Sequence, residues 1–141
     1  MKRIMMALSL AALMVAVLLP AGAATAQGKV VKVKVGPTAE VLDDSTVVQV
    51  EVSVKCEPPA EVLEALVTVS QDEGAASGEA GITSVVCDGK KRTHTVDVQT
   101  LDSTFHPGEA FVSSLVLVCL DAECVETADG QDSRLVRVVG S

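Results

Sequence analysis

The stretch Thr46-Val47-Val48-Gln49-Val50-Glu51-Val52-Ser53-Val54-Lys55-Cys56 decides the fold of this chain. Apolar residues alternate with polar ones along it, and the apolar set is Val48, Val50, Val52, Val54 and Cys56. An extended chain sends successive side chains to opposite faces, so a period of two predicts a β-strand with one buried face and one face in water. Cys56 falls on the buried face, where it could form a disulfide with a facing sheet.

Residues 1–26 have the pattern of a secretory signal peptide. A short basic start, Lys2-Arg3, precedes an apolar run over residues 4–19 that is interrupted by Ser9, and the small residues Ala24-Thr25-Ala26 form a cleavage site. The apolar run is shorter than the roughly 20 residues that a spanning helix needs. We therefore expect cleavage after Ala26, a secreted, extracellular protein, and no membrane span in the mature chain.

Residues 27–141 are predicted to form a single domain, given their length. The full chain has 19 acidic and 11 basic residues and a formal net charge of −8, and loss of Lys2 and Arg3 makes the mature part more acidic still. This acidity argues against nucleic acid and anionic membranes as partners and favours a cationic ligand. A solvated acidic surface with no such ligand is the simpler alternative. We expect a monomer whose partner is an unidentified protein or small ligand.

All four cysteines lie in the mature part, at Cys56, Cys87, Cys119 and Cys124. An even number of cysteines in an exported chain predicts a disulfide framework, and four cysteines allow three connectivities. We favour Cys56–Cys87 together with Cys119–Cys124. The second pair would close the tip of a hairpin through its own disulfide.

Further segments alternate in the same way and are separated by turn signals. The predicted strands are residues 29–35, 46–56, 61–71, 81–87, 93–100, 109–120, 124–128 and 134–139. Gly36-Pro37 is expected to stop the first strand, residues 72–80 are expected to form a mobile polar loop, and residues 129–132 a turn. Regularly spaced short strands without a confident helix predict an all-β fold, an immunoglobulin-like Greek-key β-sandwich of about 7–9 strands with two disulfides.

Lys32 and Lys34 lie on one face of the first strand. Lysines in such positions protect an edge strand from pairing with another chain. A basic patch that binds a partner is the functional alternative.

The sequence contains no recognisable catalytic constellation. The two histidines, His94 and His106, are interpreted as a packed strand residue and a loop residue, and the cysteines are assigned to disulfides, so no nucleophile has a base beside it. We therefore expect that the protein is not an enzyme.

Acidic turns are the remaining candidates for a metal site. Asp121-Ala122-Glu123 and residues 129–132 could together offer oxygen ligands to calcium, and Asp43-Asp44 is a weaker signal of the same kind. Acidic turns are common without calcium, so we expect no metal and no cofactor.

Five short motifs occur in an order that resembles small exported proteins of actinobacterial type, which have an immunoglobulin-like sandwich and no assigned function. The motifs are Val-x-Val-x-Val-x-Cys at 50–56, Val-Thr-Val-Ser-Gln at 67–71, Val-Cys-Asp-Gly at 86–89, Thr-His-Thr-Val at 93–96 and Phe-His-Pro-Gly-Glu-Ala at 105–110. The resemblance implies a Cys56–Cys87 bridge and no known activity.

A second similarity is to the enediyne-chromophore apoproteins of the neocarzinostatin type, which are acidic, exported, two-disulfide immunoglobulin-like domains. Their chromophore cleft uses aromatic residues, and this chain has Phe105 and Phe111 as its only aromatics. The similarity implies that these two phenylalanines would line a ligand cleft. Antibody domains differ more, because this chain lacks the tryptophan and the corner tyrosine of that fold.

The sequence thus predicts a non-enzymatic secreted β-sandwich module with a binding or structural role at the cell surface or outside the cell. The alternative is a carrier of a small, chromophore-type ligand. Fold alone selects neither.

Overall fold

The computed structural model describes residues 30–101 and 103–140, without the side chain of Asp43. The predicted signal peptide, residues 1–26, lies outside the described residues. Within them the chain forms seven strands and two short 3-10 turns. The strands are β1 (Val31–Leu42), β2 (Val47–Cys56), β3 (Glu61–Gln71), β4 (Ala76–Gly81), β5 (Lys91–Gln99), β6 (Gly108–Cys119) and β7 (Thr127–Gly140).

The seven strands form one curled sheet in the order β4-β3-β6-β7-β1-β2-β5. Neighbouring strands are antiparallel except β1 and β7, which pair in parallel through residues 38–41 of β1. The two ends of the sheet approach each other, because Gly78 of β4 forms an antiparallel bridge with Thr100, directly after β5. The all-β prediction is confirmed, with two disulfides and a strand number inside the predicted range.

The alternation in β2 sets the buried face. Val48, Val50, Val52 and Cys56 have no exposed surface, and Val54 has almost none. Valines and alanines from all seven strands or the segments beside them continue this core, and Phe105 plugs it from the loop before β6 with 1% of its surface exposed. Full burial of one valine stabilises the fold by about 1.5 kcal/mol or more. A core built mainly from valine therefore replaces the aromatic residues that the chain lacks.

Two turn predictions in the first and last strands are wrong. Gly36-Pro37 does not stop β1, which pairs with β2 on both sides of a register shift between Val35 and Ala39. Proline is tolerated there because the ladder is already irregular. Residues 129–132 are not a turn, since β7 pairs with β6 from Thr127 to Val138. Gly130 instead allows the backbone of β1 to approach, because a Cβ at this position would lie 2.8 Å from the carbonyl oxygen of Val31.

The segment between β3 and β5 also differs from its prediction. The expected loop at residues 72–80 contains most of β4, and the expected strand at residues 81–87 is irregular after Gly81. The small residues of β4 fit the place where the sheet ends meet, since a Cβ on Gly78 would lie 2.4 Å from the carbonyl oxygen of Gln99. The small residues of this segment predicted a loop, but in the structure they allow two strands to approach closely.

Both favoured disulfides are present. Cys56–Cys87 joins the end of β2 to the irregular segment after β4, with a Cα–Cα distance of 4.4 Å. Cys119–Cys124 closes the connection between β6 and β7, with a Cα–Cα distance of 4.8 Å, as predicted for a hairpin tip. Because Cys87 lies outside any strand, the first bridge ties a strand to a connecting segment and does not join two strands.

Gly130→Ala is expected to lower the free energy of unfolding by about 1–3 kcal/mol, because the new methyl group would meet the backbone of Val31. Gly81→Ala is the matched control. A Cβ there has ordinary contacts, 3.7 Å from the carbonyl oxygen of Ala65. Urea unfolding of both variants measures the difference. Equal stability of the two would contradict the close approach of β1 and β7.

Candidate functional site

Three lysines lie side by side on the outer face of β1, β2 and β5. Lys32 is directly opposite Lys55, and Lys55 is directly opposite Lys91. Their neighbours Val31, Val54 and Cys56 point into the core, so the lysines point away from it. Adjacent strands are about 4.8 Å apart, so the register places three ammonium-bearing side chains in one row.

A second row beside the first adds one more lysine and two hydroxyl groups. Lys34 is opposite Ser53, and Ser53 is opposite Thr93. The hydroxyls of Ser53 and Thr93 share a hydrogen bond of 3.1 Å. We refer to Lys32, Lys34, Ser53, Lys55 and Lys91 as the lysine face. With Val33, these five residues line a shallow depression of about 190 Å³.

Positive charge is concentrated around this face. The basic residues of the described chain are Lys32, Lys34, Lys55, Lys90, Lys91, Arg92, Arg134 and Arg137, and the first six lie on the face or directly before or within the start of β5. Two of the six have an acidic partner: Lys55 lies 3.7 Å from Glu57, and Arg92 bonds Asp88. The other four lysines take part in none of the ion pairs found among the described residues.

Asp88 lies at the edge of the lysine face and accepts hydrogen bonds from Arg92 and from the backbone of Lys90. The hydrogen bond from Arg92, followed by that from the backbone N–H of Lys90, lowers the pKa of the Asp88 carboxyl below its ordinary value. Asp88 is therefore ionised and committed to Arg92 and the turn. It does not neutralise the lysine row.

The far end of the same outer face is acidic. Glu40 is opposite Gln49, and Gln49 is opposite Asp97, to which its side-chain amide donates a hydrogen bond of 2.9 Å. Positive and negative charges are thus separated along the strands by several residues. An anion would be attracted to the lysine end and repelled from the other.

The lysine row has an energetic consequence and a chemical one. Like charges directly opposite each other on neighbouring strands are destabilising, by a few tenths of a kcal/mol to about 1 kcal/mol per pair. Lysine ammonium groups are also good point-charge ligands for phosphate and sulfate. An anion between two neighbouring lysines would reduce the repulsion within that pair, and a ligand with several anionic groups would reduce it along the whole row.

The two phenylalanines proposed as ligand residues lie in different environments. Phe105 is fully buried in the core, and its backbone N–H donates to the carbonyl of Ser45. Phe111 is on β6 with 48% of its surface exposed, directly opposite Leu135 of β7. The structure does not bring the two rings to one exposed cleft. The four cysteines proposed alongside them form the two disulfides.

The histidines are placed differently from each other. The ring of His106 bonds Asp72 through Nε2 at 2.7 Å and the carbonyl of Pro107 through Nδ1 at 2.8 Å. These bonds, that to Asp72 first, raise the pKa of His106 above its ordinary value of 6.5. His94 is half-buried on β5, and its buried Nε2 has no hydrogen-bond partner among the described residues. Among the described residues neither ring forms a hydrogen bond with a serine or cysteine side chain, and Ser84 lines the same surface depression as His94.

The acidic residues considered for calcium have structural contacts. Asp121 accepts the backbone N–H groups of Val125, Glu126 and Glu123, and these bonds, that from Val125 first, lower its pKa. Asp132 accepts the N–H of Val35 at 2.7 Å, at the irregular point of β1. In the part of the chain that the structure describes, no group of three or more potential ligands is arranged to hold a metal ion.

Sequence reasoning missed Lys55 and Lys91 as members of a site. It treated Lys32 and Lys34 as protection for an edge strand. Residues 31–35 of β1 pair with β2, whereas the pairing of β1 with β7 covers residues 38–41, so this interpretation stays a prediction beside the lysine row. The sequence did contain a signal of the site, because Lys32, Lys55 and Lys91 each lie near one end of a predicted strand. Finding the row required the pairing of β1 and β5 with β2, which alternation within one strand does not give.

Comparison with protein-family models, with curated proteins and with solved structures finds no match to this chain. The described residues contain no helix long and apolar enough to cross a membrane. The two disulfides indicate an oxidising environment.

Asp72→Asn is expected to lower the pKa of His106 toward 6.5, because the main cause of its elevation is removed. The raised pKa stabilises the fold below the pKa of the unfolded histidine, and this contribution is lost as pH rises through the folded pKa. The variant should therefore be less stable than the wild type at mildly acidic pH, and the two should converge at alkaline pH. NMR titration and unfolding at several pH values measure both effects. Asp88→Asn, a charge removal elsewhere, should leave the His106 titration unchanged, and an unchanged titration in Asp72→Asn would contradict the assignment.

Proposed function

We propose that this chain is an exported, non-enzymatic binding module with an immunoglobulin-like fold, and that its lysine face binds a ligand carrying several phosphate or sulfate groups. The row Lys32–Lys55–Lys91 is the observation that carries the proposal. Export is supported by the signal-like residues 1–26 and by the two disulfides.

The strand order supports an immunoglobulin-like Greek-key sandwich. It divides into the groups β4-β3-β6-β7 and β1-β2-β5, and β1 joins the groups by pairing with β7 as well as β2. The chain passes from one group to the other after β2, after β4 and after β5. The last two strands, β6 and β7, lie in the same group. Buried residues of both groups belong to one core cluster, as expected for two layers packed face to face.

The ligand class follows from charge and spacing. The row offers three ammonium groups on strands about 4.8 Å apart, so a ligand with anionic groups roughly 5–10 Å apart could contact two or three of them. Ser53 and Thr93 add hydroxyls that can donate to phosphate or sulfate oxygens. An extracellular polymer that repeats such groups matches the face better than a single anion. One anion between two lysines reduces the repulsion within that pair and leaves the repulsion within the other pair.

The alternative role, carriage of a small ligand between Phe105 and Phe111, is less well supported. It needs both rings at one cleft, whereas Phe105 is enclosed in the core and Phe111 is on an exposed strand face. The lysine face needs no such rearrangement. We therefore favour anion binding.

Long-chain polyphosphate is a suitable probe for titration calorimetry at low ionic strength. The double variant Lys32→Gln/Lys91→Gln is expected to bind it at least tenfold more weakly than the wild type, because the row retains one lysine. Added salt should weaken wild-type binding, as expected for exposed charges. Arg134→Gln/Arg137→Gln removes two positive charges from β7 and is the matched control, expected to bind like the wild type.

Two results would contradict the proposal. One is equal weakening by Arg134→Gln/Arg137→Gln, which would make binding a property of net charge. The other is no measurable binding of polyphosphate or of a sulfated polymer such as dextran sulfate by the wild type. A DNA oligonucleotide serves as a further arm: binding as tight as that of polyphosphate would reassign the ligand to nucleic acid.

A further inference from the structure

A groove on the other half of the sheet has chemistry opposite to that of the lysine face. Its floor is Phe111 of β6 and Leu135 of β7, directly opposite each other and 48% and 64% exposed. Its rim is formed by Asp72, Glu73, His106 and Glu109, and it encloses about 460 Å³. We refer to these six residues as the Phe111 groove. A volume of this order lies within the range of binding sites for small molecules or side chains.

The rim is held in place by a buried side chain. Gln71, with 2% of its surface exposed, donates through Nε2 to the carbonyls of His106 and Glu109 at 2.8 and 3.3 Å. Its Oε1 accepts the backbone N–H of His106 at 3.0 Å. The His106–Asp72 bond ties the same loop to the turn after β3. The groove is therefore preformed, and a ligand would not have to order these segments.

The charges of the rim select a cation. Glu73 and Glu109 take part in none of the ion pairs among the described residues, and Asp72 shares its charge with His106. Arg137 is opposite Glu109 in the β6–β7 register, and the other basic residue of these two strands, Arg134, pairs with Asp132. Three carboxylates face at most two cations. An aromatic face next to carboxylates is a favourable site for an ammonium or guanidinium group with an apolar stem.

The shape of the surface favours a polypeptide occupant. A second depression of about 420 Å³ adjoins the groove and shares Glu109 and Leu135 with it. The two together form an extended surface that suits several consecutive residues of a chain. Scattered exposed apolar residues need no explanation, but here two lie opposite each other within one concave, acidic site.

We propose that the Phe111 groove binds an exposed segment of a partner protein in which a basic residue is flanked by apolar ones. The basic side chain lies along Phe111 with its charge between Glu73 and Glu109, and an apolar neighbour covers Leu135. The groove lies on β6, β7, the turn after β3 and the loop before β6, whereas the lysine face lies on β1, β2 and β5. This proposal therefore goes beyond the proposed function and does not depend on it.

The test titrates ¹⁵N-labelled protein with a capped pentapeptide, acetyl-Ala-Leu-Arg-Leu-Ala-amide, and follows the amide NMR signals. Saturable shifts are expected at residues 71–73 and 106–111. The same peptide with citrulline in place of arginine keeps the shape without the charge, and it should bind at least fivefold more weakly. Phe111→Ser and the double variant Glu73→Gln/Glu109→Gln should each weaken binding of the arginine peptide at least fivefold.

Val125→Ser is the matched control for loss of an exposed apolar side chain, because Val125 is 77% exposed at the hairpin tip. It should bind like the wild type. Three results would overturn the proposal. They are equal affinity for the two peptides, shifts confined to other residues, and no saturation up to about 10 mM peptide, which corresponds to a binding free energy weaker than about −3 kcal/mol. The two groove variants are independent, so a fold defect in one, visible as lost signal dispersion, leaves the other decisive.

Discussion

The register of β2 between β1 and β5 is the constraint on which the rest of this structure depends. A slip of one residue would turn Val48, Val50 and Val52 into solvent and bring Glu51 and Lys55 into the core. The buried valines and the Cys56–Cys87 bridge at the end of β2 both oppose such a slip. The same register places Lys32, Lys55 and Lys91 in one row. The lysine face is thus a direct consequence of how the core packs.

A core built from valine and alanine brings backbones close together. Gly130 lies against Val31 and Gly78 against Gln99, at distances that leave no room for a Cβ. The disulfides supplement this small-residue core. In the chain-entropy model, the 31-residue separation of Cys56 and Cys87 corresponds to a stabilisation of about 3.7 kcal/mol through the unfolded state. The outer face has no role in the core, and it carries the lysine face on β1, β2 and β5 and the acidic Phe111 groove beside β6 and β7.

Features that depend on one segment could be predicted from the sequence. The strand at Val47–Cys56, the strand at Glu61–Gln71 and the hairpin tip at Cys119–Cys124 follow from alternation and spacing. Features that depend on two segments could not. Gly130 and the small residues of β4 resemble turns and loops in composition, and the segments that approach them closely, at Val31 and Gln99, are distant in the chain. The lysine row and the Phe111 groove belong to this second class, because each joins residues from strands paired across the sheet.

The central claim is that the lysine row destabilises the empty protein and is stabilised by an anion, and unfolding experiments test it directly. At about 10 mM ionic strength, where charges are weakly screened, Lys32→Gln/Lys91→Gln should be more stable than the wild type by about 0.5–1 kcal/mol, because two like-charge pairs are gone. Polyphosphate at about 100 times its dissociation constant should stabilise the wild type by about 2.7 kcal/mol and the variant much less, which reverses the order. A variant that is less stable without ligand, or an equal gain by both proteins with it, would contradict the account.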